Sequence, residues 1–310
     1  MGYANNSDGT IAQLEALVDS GGIDLVLHNG DVSYADGDMR HWDVFMRKIE
    51  RVAARVPYMT TPGNHEFWFN FTAYKKRFAM PVVGGHHANG YEDAMYWSLD
   101  VGGGALHLVG MNTESVIDKA AMSEAQVVWL RADLAAARER RALRNGDVGA
   151  GASVAGFTVA FGHRPFYCSN PGPADIRNGQ ALLRRKAEDI LNEGGVDLVL
   201  QAHVHDYERT LPVRNGAPTA TNYTSPAAPV YVVNGAAGNR EANARAPGNE
   251  SWSPAADPAA GAVPLMHDIS YGVVTVASTS LRFQQFFAAN GTAFDTFTIT
   301  KPAQRRMLEL

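Results

Sequence analysis

Short apolar runs recur along this chain, and four of them lead directly into side chains able to bind a metal ion. Residues 23–27 run on to Asn29-Gly30-Asp31 and Tyr34, and residues 57–60 run on to Asn64-His65. Residues 157–161 end before Gly162-His163, and residues 196–200 before Ala202-His203-Val204-His205. Between the runs lie stretches of helical periodicity, with Ile11, Leu14, Leu17 and Val18 on one face of the first and Val44, Phe45, Ile49 and Val52 on the second. Strands that alternate with helices and carry polar residues at their exits predict an α/β layered fold with its site along one sheet edge.

The remaining segments fit that plan. Residues 94–101 and 105–111 read as a β-hairpin, Ser123 as the cap of a helix carrying Val127, Leu130 and Leu134, and residues 180–192 as a further helix. Residues 145–153 are Gly-rich but lack the Lys-Ser/Thr ending of a phosphate-cradling loop, so they read as a surface insert. Residues 215–229 and 242–264 read as long loops. Strands at 230–233, 272–277, 281–288 and 294–299 are expected to form one antiparallel group. With no internal repeat and no clean boundary, residues 1–310 read as one domain.

Composition excludes some functions. The net charge of -5 is dispersed, and the basic stretch 138–144 continues a helix without aromatic interleaving, so no nucleic-acid partner is expected. No run is long enough to span a membrane, and none reads as a signal peptide. A lone Cys168 rules out an intramolecular disulfide; it could be a free thiol or an intermolecular bridge, and a partly exposed inert thiol is the plain reading. Asn5, Asn70, Asn222 and Asn290 open Asn-x-Ser/Thr triplets, a weak pointer to a secreted glycoprotein.

A single loop histidine is ordinarily a surface or hydrogen-bonded residue, and Asp-x-x-Tyr is common in turns. Their repetition at successive strand exits changes the reading. His203 and His205, two apart on an extended segment, would turn both imidazoles to one pocket and Val204 to the core. A two-metal phosphoester hydrolase needs a bridging carboxylate, neutral imidazoles, a neutral oxygen ligand and a proton donor beside the leaving group. Asp31, the histidines, Asn64 and His65 supply those types in turn. Tyr34 adds a phenolate, which persists as a ligand mainly beside a hard, highly charged ion such as Fe(III).

These residues resemble the purple acid phosphatases, within the calcineurin-like metallophosphoesterases. The family blocks Gly-Asp-x-x-Tyr, Gly-Asn-His-Asp/Glu, a block with a single His, and Gly-His-x-His correspond to Gly30-Asp31-Val32-Ser33-Tyr34, Gly63-Asn64-His65-Glu66, Gly162-His163-Arg164-Pro165 and Ala202-His203-Val204-His205. Order and spacing agree over residues 1–210, and residues 265–310 resemble the family's carboxy-terminal part. The resemblance implies a calcineurin-like fold, a layered β-sandwich flanked by helices. It also implies an acid phosphatase acting on small-molecule phosphate monoesters through a metal-held hydroxide, and a secreted full-length protein. Asp31 would bridge the ions, Tyr34 and His205 would bind Fe(III), and Asn64, His163 and His203 would bind a divalent ion (Zn, Fe or Mn). His65 would orient the phosphate or protonate the leaving oxygen.

Three departures from the family qualify this expectation. Met1-Gly2 fits only the end of the family's first block, Gly-Asp-x-Gly, so one Fe(III) ligand and the first strand are expected to be missing from a catalytic domain that is incomplete at its amino-terminal side. No histidine follows His163 before residue 203, leaving Arg164, Tyr167 or another loop to meet the phosphate. Ala202 stands where the family has Gly, which matters only if the backbone there needs positive φ or close approach. A phosphodiesterase of the same superfamily and an inactive fragment are the alternative readings.

Overall fold

In a computed structural model of the chain, the described residues are 1–81, 95–115, 122–147, 156–169, 174–241 and 268–302. The Gly-rich insert beyond residue 147, residue 94 of the expected hairpin and the loop expected at 242–264 lie outside them.

The elements follow the expected alternation. Helix α1 (Asp8–Asp19) precedes β1 (Val26–Asn29), and α2 (Met39–Ala53) precedes β2 (Tyr58–Thr61). After α3 (Thr72–Arg77) come the antiparallel pair β3 (Trp97–Val101) and β4 (Leu106–Gly110), then α4 (Glu124–Asp147), which begins where Ser123 Oγ accepts the Gln126 amide at 3.2 Å. Strand β5 (Phe157–Phe161) leads to one long helical stretch, α5 (Ala174–Leu183) and α6 (Asp189–Glu193), joined by a π-turn at Arg184–Glu188. The helix expected at 180–192 thus starts earlier and contains an irregular turn that apolar periodicity does not register.

Strands β6 (Leu198–Gln201), β7 (Tyr207–Arg209) and β10 (Val230–Asn234) complete a mixed six-stranded sheet in the order β3-β4-β5-β6-β10-β7. Strands β8 (Val213–Arg214) and β9 (Ala217–Pro218) form a small hairpin at the start of the loop expected at 215–229, while β11 (Ser270–Val276), β12 (Ser280–Phe287) and β13 (Ala293–Thr300) form a separate antiparallel sheet. Residues 230–233 therefore do not belong to the closing antiparallel group. They pair in parallel with β6, Val230 opposite Leu198. A run such as Val-Tyr-Val-Val is apolar on both faces, which suits a central strand better than a half-exposed one.

The layers follow from side-chain alternation. On β4, Leu108 packs toward Leu281, Phe283 and Ile299 of the closing sheet, whereas its neighbour Val109 packs toward Leu130, Leu134 and Leu191 of the helices. A third cluster joins Ile11 and Val18 of α1 to Phe45 and Ile49 of α2 over β1 and β2. The result is a sandwich of sheets between helices. Each fully buried Leu, Ile or Phe contributes roughly 1.5–3 kcal/mol, so these clusters hold the layers together. The closing sheet is also fixed by a buried ion pair, Arg209 Nε to Asp295 Oδ2 at 2.9 Å and Nη2 to Oδ1 at 3.2 Å, which Tyr207 joins through its hydroxyl. Cys168 is buried, a correction to the expected partly exposed thiol, because the segment after β5 packs it against Val204 and Val233 at the exits of β6 and β10.

Because β4, β5, β6 and β10 run parallel, their carboxy-terminal ends share one edge. Strands β1 and β2, also parallel, contribute two more exits. A cavity of about 400 Å³ lies along β1 and β11, and Asp31, Tyr34, His163, His203 and His205 border it. Inside it, His28 Nε2 and Thr10 Oγ1 are buried without a hydrogen bond among the described residues.

Candidate metal centre

The loop after β1 is built to carry Asp31. Gly30 takes φ +74°, and a Cβ there would fall 2.7 Å from the His163 side chain. Asp31, Tyr34 and Asp36 also adopt positive φ, at 48°, 55° and 47°. Left-handed backbone at three non-glycine residues costs of order 1–3 kcal/mol each, strain of the kind that gathers at functional sites. Glu66 ties this loop to the loop after β2, its Oε1 accepting the Val32 amide at 3.0 Å and its Oε2 the Gly63 amide at 2.9 Å. Burial, then the nearby Asp31 charge, pushes the Glu66 carboxyl up to about 7.

The two oxygens of Asp31 have different tasks. Oδ1 accepts the backbone amide of His65 at 3.0 Å, which fixes the carboxylate. Oδ2 faces two groups at once, His163 Nε2 at 3.1 Å and the Tyr34 hydroxyl at 3.2 Å. Burial raises the Asp31 carboxyl, but the charge and hydrogen bond of His163, followed by the charges of His65 and His203, hold it well below the usual carboxylate range.

On one side of Oδ2 stand Asn64, His163 and His203. Asn64 Oδ1 is 2.9 Å from both His163 Nε2 and His203 Nδ1, and those two nitrogens are 3.2 Å apart. His163 donates Nδ1–H to the Asn29 carbonyl at 2.9 Å, which leaves Nε2 to the cluster. Asp31, His163 and His203 place one ligand atom each within 4.8 Å of one another. Convergent oxygen and imidazole acceptors of this kind suit a divalent ion of borderline softness.

On the other side stand Tyr34 and His205, with the hydroxyl 2.7 Å from Nε2. Burial pushes the His205 imidazole down to about 4, so it is a neutral donor of a lone pair. Burial, then the charges of Asp31 and Glu241, lifts the Tyr34 phenol well above its ordinary value. A phenolate here calls for a strongly charged cation beside it.

The six residues expected as ligands are therefore brought together, in two sets that meet at one oxygen of Asp31. The local backbone differs from expectation in one respect. His203 sits at φ +68° in a turn after β6, not on an extended segment, so His203 and His205 reach opposite halves of the site. Ala202 needs no positive φ; that conformation falls on the following residue. His65 borders the centre with Nδ1 2.5 Å from Asp36 Oδ1 and its ring 4.3 Å from that of Tyr34. Burial lowers its imidazole, yet the Asp31 charge and the Asp36 hydrogen bond raise it overall.

Several residues at the site carry no signal that strand exits alone reveal. Strand β10 adds a fifth exit, and the segment after it brings Asn239 Nδ2 to 3.1 Å from the Tyr34 hydroxyl, Arg240 into an ion pair with Asp36, and Glu241 Oε1 to 3.4 Å from His65 Nε2. Of the two open candidates after His163, the Tyr167 hydroxyl bonds Glu188 and the Gly216 amide, away from the ligands. Arg164 points inward, with Nε 2.8 Å from Glu114 Oε1 and Nη1 3.4 Å from His203 Nε2.

Comparison with known proteins identifies the family. The calcineurin-like phosphoesterase family profile matches residues 4–207, and the profile described as iron/zinc purple acid phosphatase-like protein C matches residues 228–296. Acid phosphatase type 7 of Danio rerio is 35% identical over 263 residues, covering 76% of this chain and 54% of that protein. Its human counterpart is 36% identical over 247 residues, covering 74% of this chain and 52% of that protein. The chain thus spans about half the length of the curated relatives it matches. A purple acid phosphatase from yellow lupin (Lupinus luteus) seeds superposes with a TM-score of 0.71 at 23% identity, over 94% of this chain and 49% of that one, a likeness of fold. The chain belongs to the calcineurin-like phosphoesterases and, within them, to the purple acid phosphatases.

Proposed function

We propose that this chain forms the catalytic core of an acid phosphatase that hydrolyses small phosphate monoesters at a dinuclear centre. In this reading Tyr34 and His205 hold Fe(III), Asn64, His163 and His203 hold a divalent ion such as Zn, Fe or Mn, and Asp31 bridges them. The observation that carries it is the position of Asp31 Oδ2, 3.1 Å from one ligand set and 3.2 Å from the other. When bound, the two cations supply Lewis acidity for the phosphoryl group and activate a water for in-line attack.

The chain's own residues do the rest. The His65 amide keeps Asp31 in place. The His65 imidazole, raised by its carboxylate neighbours, holds a proton at the rim of the site for the departing alkoxide. Asp36 orients that ring through Nδ1, and Nε2 lies 3.4 Å from Glu241 Oε1. The exposed Asn70, Asn222 and Asn290 triplets are consistent with a secreted glycoprotein.

The experiment is metal analysis of purified protein together with hydrolysis of an aryl phosphate. Two ions per chain, visible absorbance and monoesterase activity are expected. A folded protein that takes up fewer than two ions under saturating iron and zinc contradicts the reading. Faster turnover of a diester than of a monoester would favour the phosphodiesterase alternative, against which Tyr34 stands as a phenolate ligand.

A further inference from the structure

We propose that the aromatic segment Phe67-Trp68-Phe69 is a leaving-group subsite, which selects phosphate monoesters whose leaving group carries an aromatic ring. The proposal rests on the phosphatase reading above and adds a substrate class to it.

Two independent ties place Trp68 beside His65. The first runs along the chain. Asn64–Glu66 form a single 3₁₀ turn, Phe67 keeps helical backbone at φ -63° and ψ -19°, and its amide donates to the Asn64 carbonyl at 3.4 Å. Side chains three residues apart eclipse on such a turn, so His65 and Trp68 leave it on the same side. The second tie crosses to the loop after β1. His65 Nδ1 is 2.5 Å from Asp36 Oδ1, and the next residue, Gly37, lies against the indole. A Cβ on Gly37 would stand 3.2 Å from Trp68 Cε3 and 3.3 Å from Cδ2. Consecutive Cα atoms are about 3.8 Å apart, so a ring joined to a leaving oxygen at His65 lies within reach of the indole.

The segment presents its rings to solvent. Trp68 is 40% and Phe69 66% exposed, and no other aromatic side chain of the described residues is as open. Exposed aromatic surface gathered beside a catalytic cleft marks a binding surface. Phe67 backs the indole, with ring centroids 5.0 Å apart. Phe69, Asn70 and Phe71 follow in left-handed backbone, at φ +53°, +55° and +59°. Three such residues in succession are costly, and strain of this kind collects at ligand clamps. Buried Phe71, its amide bonded to the Phe67 carbonyl at 3.3 Å, anchors the turn. Rings pair edge to face as well as offset, so the open edge of Trp68 and the Phe69 ring can hold a third ring between them.

The competing role is support of the His65 turn alone. The two roles separate in binding of phosphonates to the full chain loaded with iron and zinc, measured by calorimetry. Benzylphosphonate and methylphosphonate bring the same anionic head to the metals and differ in the ring. Wild type is expected to bind benzylphosphonate about tenfold more tightly, the size of one aromatic contact. Trp68→Ala should remove most of that preference, Phe69→Ala should reduce it about threefold, and Trp68→Phe should keep most of it. Because Phe69 is exposed, its variant reads the subsite even where Trp68→Ala lowers the melting temperature. Equal affinities in wild type would overturn the subsite and leave the phosphatase reading intact. So would an undiminished preference in a Trp68→Ala, Phe69→Ala double variant. Metal-loaded protein that binds neither phosphonate would overturn the phosphatase reading and the subsite with it.

Discussion

A methyl group at Gly63 would stand 2.2 Å from the amide nitrogen of Asp31 and 2.3 Å from its Oδ1. The loop after β2 is thus pressed directly against the residue that joins the two ligand sets. Gly63 itself has φ -113°, so the requirement is one of space and not of left-handed backbone. Gly63→Ala must move backbone, since no flexible side-chain end is available to yield. We expect a loss of about 1–3 kcal/mol in stability, as for overpacking of a tight site, and weaker binding of both ions. Urea denaturation and metal titration check this. Normal binding of both ions in the variant would show that the loop can shift without moving Asp31.

The two halves of the centre should separate in variants. Tyr34→Phe removes the phenolic oxygen and leaves the Asn64–His163–His203 set intact. The expected product is colourless, retains zinc, and loses activity by about 100-fold or more, as for loss of transition-state electrostatics. Elemental analysis with visible spectroscopy is the measurement. His163→Ala should do the reverse, keeping iron and colour while zinc uptake falls. Equal loss of both metals in both variants would mean that the two sets act as one site.

Much of this site was legible because side chains able to bind a metal are residue types that strand exits display. Asp31, Asn64, His163 and His203 each follow an apolar run, and parallel strands bring such exits to one edge without further information. Strand β10 was legible as a strand but not in its place. Val230 to Val233 reads equally well in a parallel or an antiparallel sheet, and only its pairing with β6 directs Asn239 and Glu241 to the centre. Asp36 and Glu241 were hidden for a related reason. Their roles depend on turns at φ +47° and φ +91° that no periodicity encodes. The His203 turn is similar: the alternation rule assigns two histidines to one side of a strand, and a left-handed residue cancels the rule.

Arg164 and Glu114 form an ion pair with little access to water, at side-chain exposures of 6% and 2%. Burial raises the Glu114 carboxyl, and the Arg164 charge opposes that shift without cancelling it. Removing one partner strands the other, so Arg164→Ala is expected to cost about 3–5 kcal/mol in stability, while an Arg164→Met, Glu114→Leu double variant should lose much less. Chemical denaturation of the singles and the double tests this as a cycle. Zinc affinity provides a second readout, because Arg164 Nη1 lies 3.4 Å from His203 Nε2. Arginine can only donate, so its contact favours a proton on His203 Nδ1, the nitrogen facing Asn64. Arg164→Met should therefore bind zinc no more weakly than wild type when its stability loss is offset by the second substitution. A large drop in zinc affinity in the double variant would instead make the guanidinium a support for the ligand.

The acid limit of folding should depend on a cluster far from the centre. His107 is buried on β4 between two carboxylates, Nδ1 2.7 Å from Asp100 Oδ1 and Nε2 2.9 Å from Asp133 Oδ2. Burial raises the Asp100 carboxyl, but the hydrogen bond and charge of His107, then Arg140, lower it overall. A carboxyl that is more acidic in the folded state stabilises that state above its unfolded value of about 4. The contribution disappears as pH falls through the lower folded value. Melting temperature measured from pH 6 down to pH 3 should therefore fall more steeply in wild type than in Asp100→Asn, which has no such proton to gain. The carboxylate is about one-third exposed, so the difference should be modest and should shrink in high salt. Parallel curves for the two proteins would assign the acid loss to other carboxylates.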